Sequence, residues 1–216
     1  LMDLALSVAC GGKWMDHFRC RKGRVLYVNL ELHPDTAGSR GSWVGKERGY
    51  IKENAGGPQF ADPADADNLV VWNLRGSCYD INEMLEVAAM RHAAGEERFS
   101  LIILDPLYKV LGDRDENAAG DMAELFTLVE DFAKVSNASI AFAAHFSKGG
   151  QAGKEAVDRI SGSGVMARDP DAILTMTPHE LDGHHVLSAS PREFKPIPEM
   201  VFSWAAPVMT PAHGID

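Results

Sequence analysis

Three apolar runs in this 216-residue chain each end in a side chain able to act on a phosphate or on water. Leu101-Ile102-Ile103-Leu104 runs into Asp105, and Val25-Leu26-Tyr27-Val28-Asn29-Leu30 runs into Glu31. Ser139-Ile140-Ala141-Phe142-Ala143-Ala144 runs into His145 and then Phe146-Ser147-Lys148-Gly149-Gly150. Unbroken runs of this kind read as strands buried on both faces, the pattern of a parallel sheet. Ligands of open α/β sheets bind in the crevice outside the carboxyl ends of such strands. An aspartate there holds Mg2+, often through water, when the chemistry is phosphoryl transfer. A second acid at the same edge orients a water molecule, and an imidazole followed by a Gly/Lys loop is suited to contact a phosphate. Each tip also has a plainer reading. Asp105 before Pro106 caps a turn, Glu31 is a strand-end charge facing solvent, and His145 is a structural histidine.

The elements that would carry these tips alternate along the chain. Leu1–Cys10 is made of good helix formers and stops at Gly11-Gly12. Lys13–Arg24 holds Lys13, Arg19, Arg21, Lys22 and Arg24 around Trp14 and Phe18; it reads as a solvated basic connection, with nucleic-acid contact as the competing reading. Arg24–Glu31 is a strand. Leu32–Asp67 is polar and rich in Gly, Pro and Asp, with a short helix expected around Arg40–Glu53 and partial mobility elsewhere. Asn68–Leu74 is a third strand and Asp80–Ala94 a helix. After Asp105, a loop at Gly112–Asn117 precedes a helix over Ala118–Ser136, with Met122, Leu125, Phe126, Val129 and Phe132 on one face. Beyond the flexible Gly149–Gly153 stretch, Asp158–Gly164 reads as a turn into a short helix. Asp171–Met176 is a strand joined through an Asp182-Gly183 turn to His185–Ser190, and Met200–Trp204 is a last edge strand. The expected fold is an α/β, mainly parallel, doubly wound sheet with an antiparallel hairpin at its later end, in one domain over residues 1–216.

Composition narrows the function classes. With 45% hydrophobic and 24% charged residues the chain is a soluble globular type, and it contains no apolar run long enough to span a bilayer. Cys10, Cys20 and Cys78 show no metal-ligand spacing and read as reduced thiols, which points to a cytoplasmic protein. His179, His184 and His185 lack a suitably spaced carboxylate and read as solvated hairpin residues. A net charge of -10 argues against bulk electrostatic binding of nucleic acid, although a local basic channel would suffice for a single strand.

Taken in order, the strand ends resemble the RecA-like ATPase core, and in particular the RepA-like family of plasmid and phage replication ATPases related to hexameric replicative helicases. VLYVNLEL at Val25–Leu32 is similar to the strand whose glutamate activates water, and LIILDPL at Leu101–Leu107 resembles Walker B. Asp115-Glu116-Asn117-Ala118 resembles the segment after Walker B. Ala144–Gly149 resembles the sensor motif, and Gly162–Ala172 the segment leading into the next strand. The resemblance implies an ATP- and Mg2+-dependent ATPase, with catalytic roles for Glu31, Asp105 and His145 and with the metal held by Asp105. It further implies nucleotide contacts from Asp105, His145, Lys148, Arg159 and Arg168. Assembly into a homo-hexameric ring would line a channel for single-stranded DNA with Lys148 and Lys154, with no membrane involved.

The departures from that pattern are specific. No GxxxxGK[ST] phosphate loop occurs in the sequence, and a helix like Leu1–Cys10 directly follows that loop in the family, so the expectation is a RecA-like core truncated before Leu1. Asp171 stands where the family's arginine finger aligns, with Arg168 nearby and Arg159 upstream, and Ala144 replaces the first of two sensor histidines. Two rivals remain at this level. One is a non-hydrolysing RecA-fold subunit that binds DNA or protein in a replication or recombination complex. The other is an unrelated hydrolase using Asp105, Glu31 and His145 as direct metal ligands.

Overall fold

The computed structural model describes residues 1–77, 80–93, 98–144, 165–166 and 168–215. In chain order the elements are α1 (Met2–Cys10), β1 (Lys13–Trp14), β2 (Phe18–Arg19), β3 (Val25–Asn29), α2 (Pro34–Glu47), β4 (Ile51–Asn54) and β5 (Gly57–Phe60). A 3-10 helix (Pro63–Asn68), β6 (Leu69–Asn73), α3 (Ile81–Ala93), β7 (Leu101–Asp105), a second 3-10 helix (Leu107–Val110), α4 (Ala119–Ser136) and β8 (Ser139–Phe142) follow. The chain closes with β9 (Ala172–Pro178), β10 (His184–Pro191), β11 (Ile197–Ala205) and β12 (Val208–Pro211). Two units result, Leu1–Gly112 with Thr127–Ala143 and Asp113–Phe126 with Ala144–Asp216.

The first unit is organised by a four-stranded parallel sheet in the order β6-β3-β7-β8. Strand β3 is central and every one of its residues is buried, as its apolar run requires. One face carries Val25, Tyr27 and Ile103, against which α1 sets Ala5 and Ala9, both 0% exposed. Alanines at that spacing lie on one side of the helix and let it approach the sheet closely. The opposite face carries Leu26, Val28, Ile102 and Leu104, all 2% exposed or less, so the sheet is covered on both sides. Helix α1 ends at Gly11, whose φ of 70° lets the backbone turn back so that the Gly11 and Gly12 amides cap the Val8 and Ser7 carbonyls.

The stretch Leu32–Asp67 departs from expectation: it forms α2, the β4–β5 hairpin and a 3-10 helix, and α2 starts at Pro34 rather than near Arg40. Pro34 at the first helical position and the His33 Nδ1, which accepts from the Asp35 amide at 3.3 Å, begin the helix early. Glycine at position 45 is a packing requirement, because a Cβ there would lie 2.5 Å from the Ile51 Cδ1. The side chain of Arg48, 3% exposed, then ties the end of α2 to Asp3 and Asp16, each at 2.7 Å.

In the second unit the expected antiparallel hairpin is part of a four-stranded antiparallel sheet, β12-β11-β10-β9, separate from the parallel one. The Asp182-Gly183 turn joins β9 to β10, with Gly183 at φ 72°. Strand β11 is not the edge: β12 pairs outside it, Phe202 opposite Pro211 and Trp204 opposite Met209. The α/β class with a parallel sheet and a C-terminal antiparallel element is thus present in a larger form than expected. The expected flexible stretch Gly149–Gly153 and the turn at Asp158–Gly164 lie outside the described residues, as does Cys78.

Candidate functional site

At the carboxyl edge of the parallel sheet, strand register places three polar residues in a row: Asn73 of β6 opposite Asn29 of β3, and Asn29 opposite Asp105 of β7. Asn29 is 1% exposed and its amide is used in full view of that edge. Its Nδ2 donates to the Asn73 Oδ1 and to the Leu32 carbonyl, both at 2.8 Å, while its Oδ1 accepts from the Leu32 amide at 2.9 Å. Bonds to both backbone groups of Leu32 fold the chain back directly after β3, so Glu31 is held at the apex of a tight turn. The Leu30 amide, donating to the Asp105 carbonyl at 3.0 Å, extends the ladder by one step and fixes this turn against β7.

Glu31 therefore does not end the strand itself. β3 stops at Asn29, and Glu31 projects into solvent two residues later. Its Oε1 accepts from the Tyr108 hydroxyl at 3.3 Å. Tyr108 comes from the 3-10 helix that follows Pro106, so the elements after the two strands are joined through these two side chains.

Asp105 ends β7 as expected and is half-buried. Alternation along the strand puts it on the same face as Ile103, the face that α1 covers. There the Tyr27 hydroxyl donates a short hydrogen bond to Asp105 Oδ2. Burial pushes the Tyr27 phenol well above its ordinary pKa, and the Asp105 hydrogen bond and charge push it further, with Arg40 opposing. Tyr27 is thus a permanent donor, and it steers Asp105 with one oxygen committed. Oδ1 of Asp105 accepts no hydrogen bond among the described residues. Mg2+ is bound through one or two carboxylates, several waters and substrate phosphates rather than by an all-protein cage. One steered carboxylate with a free oxygen, flanked by a second acid, fits that mode, and no group of three or more His, Cys, Asp or Glu able to hold a metal occurs among the described residues.

Of the other residues singled out by sequence, His145, Lys148, Lys154 and Arg159 lie outside the described residues. The ladder leading to His145 is in place: the Ala143 amide donates to the Leu104 carbonyl at 3.3 Å and the Leu107 amide to the Ala143 carbonyl at 3.1 Å. Arg168 belongs to the second unit and is exposed in a turn, its carbonyl accepting from the Arg192 guanidinium. Asp171, where the arginine finger was expected, lies 3.6 Å from that same guanidinium. Sequence reasoning missed Tyr27, Asn29, Asn73 and Tyr108. The signal for Asn29 was a polar residue inside an otherwise apolar strand; Tyr27 reads as an ordinary β-former and gave none.

No helix among the described residues is long and apolar enough to cross a membrane. Comparison with curated proteins finds no match. A family model described as an AAA domain matches residues 1–151, a span that runs from α1 through β8 and includes Glu31, Asp105 and His145. Membership carries a P-loop-type ATPase function and the use of a nucleotide. On that match, which covers well over half of its length, the chain belongs to the AAA domain family.

Proposed function

We propose that the protein is a Mg2+-dependent, ATP-hydrolysing motor of plasmid or phage DNA replication, of the RepA-like helicase type. The observation that carries this reading is the pair of acids at one sheet edge: Asp105, steered by Tyr27, and Glu31, held in the Asn29 turn beside it. Glu31 accepts the hydrogen bond of the attacking water and orients it. Asp105, steered by Tyr27, is the residue that would hold the metal. A bound Mg2+ would supply positive charge to offset that developing on the phosphates. Preorganised positioning of this kind is where such catalysis resides. His145 senses the γ-phosphate and moves the loop after it; Lys148 and Lys154 on that loop meet single-stranded DNA inside a six-membered ring. Arg159 or Arg168 reaches the nucleotide of a neighbouring subunit. All of this acts on phosphates that a phosphate loop must hold.

The absence of GxxxxGK[ST] from the sequence favours one second reading, a RecA-fold subunit that binds DNA or protein without hydrolysis. ATP hydrolysis by protein made from the full open reading frame, with and without single-stranded DNA, separates the two. Mg2+-dependent turnover supports the motor; nucleotide-independent DNA binding with no turnover supports the subunit.

A further inference from the structure

The connection Lys13–Arg24 is a built hairpin rather than a solvated loop. β1 and β2 pair antiparallel, Lys13 opposite Arg19 and Trp14 opposite Phe18, closed by a His17 amide to Trp14 carbonyl bond at 3.1 Å. Both central turn residues, Met15 and Asp16, have positive φ, 54° and 57°. Positive φ at both central residues is the pattern of a type I′ turn over Trp14–His17, which glycine and asparagine adopt far more readily than methionine. The strain is held by anchors. Met15 is 3% exposed, Asp16 pairs with buried Arg48 at 2.7 Å, and Gly12 lies so close to Tyr50 that a Cβ would fall 1.9 Å from its hydroxyl oxygen.

What this rigid hairpin displays is positive charge. Lys13 and Arg19 are directly opposed across the ladder and both exposed, an arrangement of like charges that destabilises a strand pair. Neither forms an ion pair with a described residue, and the same holds for exposed Arg21; by contrast Lys22 pairs with Asp65, and Arg24 donates to the Asp67 carbonyl at 3.0 Å. The one acid of the hairpin, Asp16, pairs with Arg48 rather than with this cluster of cations, in a chain with ten more acidic than basic side chains. The aromatic pair Trp14 and Phe18, centroids 5.6 Å apart, is half-buried beside it, with exposed His17 edge-on to Phe18 at 4.8 Å. The hairpin folds back along α1: the Met15 amide donates to Asp3 Oδ2 at 3.4 Å, and Asp16 shares Arg48 with Asp3.

We infer that the Lys13–Arg21 hairpin is a binding site for a single-stranded nucleic acid. Its three unneutralised cations contact the phosphodiester backbone, and Trp14 and His17 offer ring surface to a base. An anionic chain across the ladder relieves the Lys13–Arg19 repulsion, which gives binding a source of free energy absent from the free protein.

The test is fluorescence anisotropy of labelled oligothymidylate with full-reading-frame protein over a series of salt concentrations and without nucleotide, so the result is read whether or not the protein hydrolyses ATP. The triple variant K13E/R19E/R21E is expected to bind about tenfold more weakly or worse, with a salt slope shallower by roughly 2, since each lost phosphate contact on a single strand removes about 0.7. K13E alone places opposite charges across the ladder; it should weaken binding several-fold without lowering Tm, which separates lost contact from lost fold. Unchanged affinity and slope in the triple variant would overturn the inference. So would tighter wild-type binding of labelled poly-glutamate than of oligothymidylate at equal salt, which would make the partner an acidic polypeptide.

Discussion

Tyr27 lies opposite Ile103 in the parallel sheet, yet its phenol reaches one step along the face to donate to Asp105 Oδ2. The carboxylate proposed to hold the metal is thereby oriented by a group that burial keeps protonated. Because the phenol pKa in the fold is raised above its unfolded value, its contribution to stability is fully present below about pH 10 and is lost as pH rises toward the raised value. Tyr27→Phe should cost roughly 1–2 kcal/mol at neutral pH through the lost hydrogen bond. It should also flatten the fall of Tm above about pH 10. Thermal melts of both proteins from neutral to strongly alkaline pH check this; parallel alkaline profiles would contradict it.

Asn29 is the positioning residue of the Glu31 turn. Asn29→Ala removes three hydrogen bonds and leaves the Leu32 backbone groups without their partner, a cost of about 2–3 kcal/mol by urea denaturation. Turnover should fall further than that of Asn73→Ala, which removes one of the three bonds and leaves the turn intact. Equal losses in the two variants would show that the turn does not position Glu31.

Arg48 holds α1, the basic hairpin and α2 together through Asp3 and Asp16. Removing one partner of a largely buried ion pair strands the other, so Arg48→Met should destabilise by roughly 3 kcal/mol, most of it from Asp3, because Asp16 is solvated. Arg48→Lys should recover only part of this, since an ammonium cannot reproduce the two-nitrogen contact with Asp3. Denaturation midpoints of the three proteins check the order; a Lys variant as stable as wild type would contradict it.

How much of this was legible in the sequence differs from element to element for physical reasons. β7 could be read outright, because Leu101–Leu104 is apolar on both faces and a carboxylate ends it. β3 was equally visible, but its register was not: parallel pairing joins residues more than seventy apart, and only that pairing shows Asn29 opposite Asp105 and Glu31 beyond the strand. Helix α2 was misplaced since Gly38, Gly41 and Gly45 lower its propensity, while tertiary contacts such as Gly45 against Ile51 decide the matter. β12 was missed as a four-residue strand ending in proline, which carries little local signal. The basic hairpin was read as a loop because a type of turn needing positive φ was built on methionine and aspartate rather than on Asn-Gly. Of the candidate site, the sequence singled out the two acids but not Tyr27, Asn29 and Tyr108, which contact them or fold the turn between them.

The central claim is that Glu31 orients the attacking water beside a metal held by Asp105. The most direct measurement is ATP hydrolysis and nucleotide binding, in parallel, by wild type and Glu31→Gln made from the full open reading frame in the presence of Mg2+. The account predicts turnover reduced by about a hundredfold or more, the range lost with a positioned acid–base group, and nucleotide affinity within a few-fold of wild type. Turnover that survives the substitution, or affinity that falls along with it, would contradict the assignment.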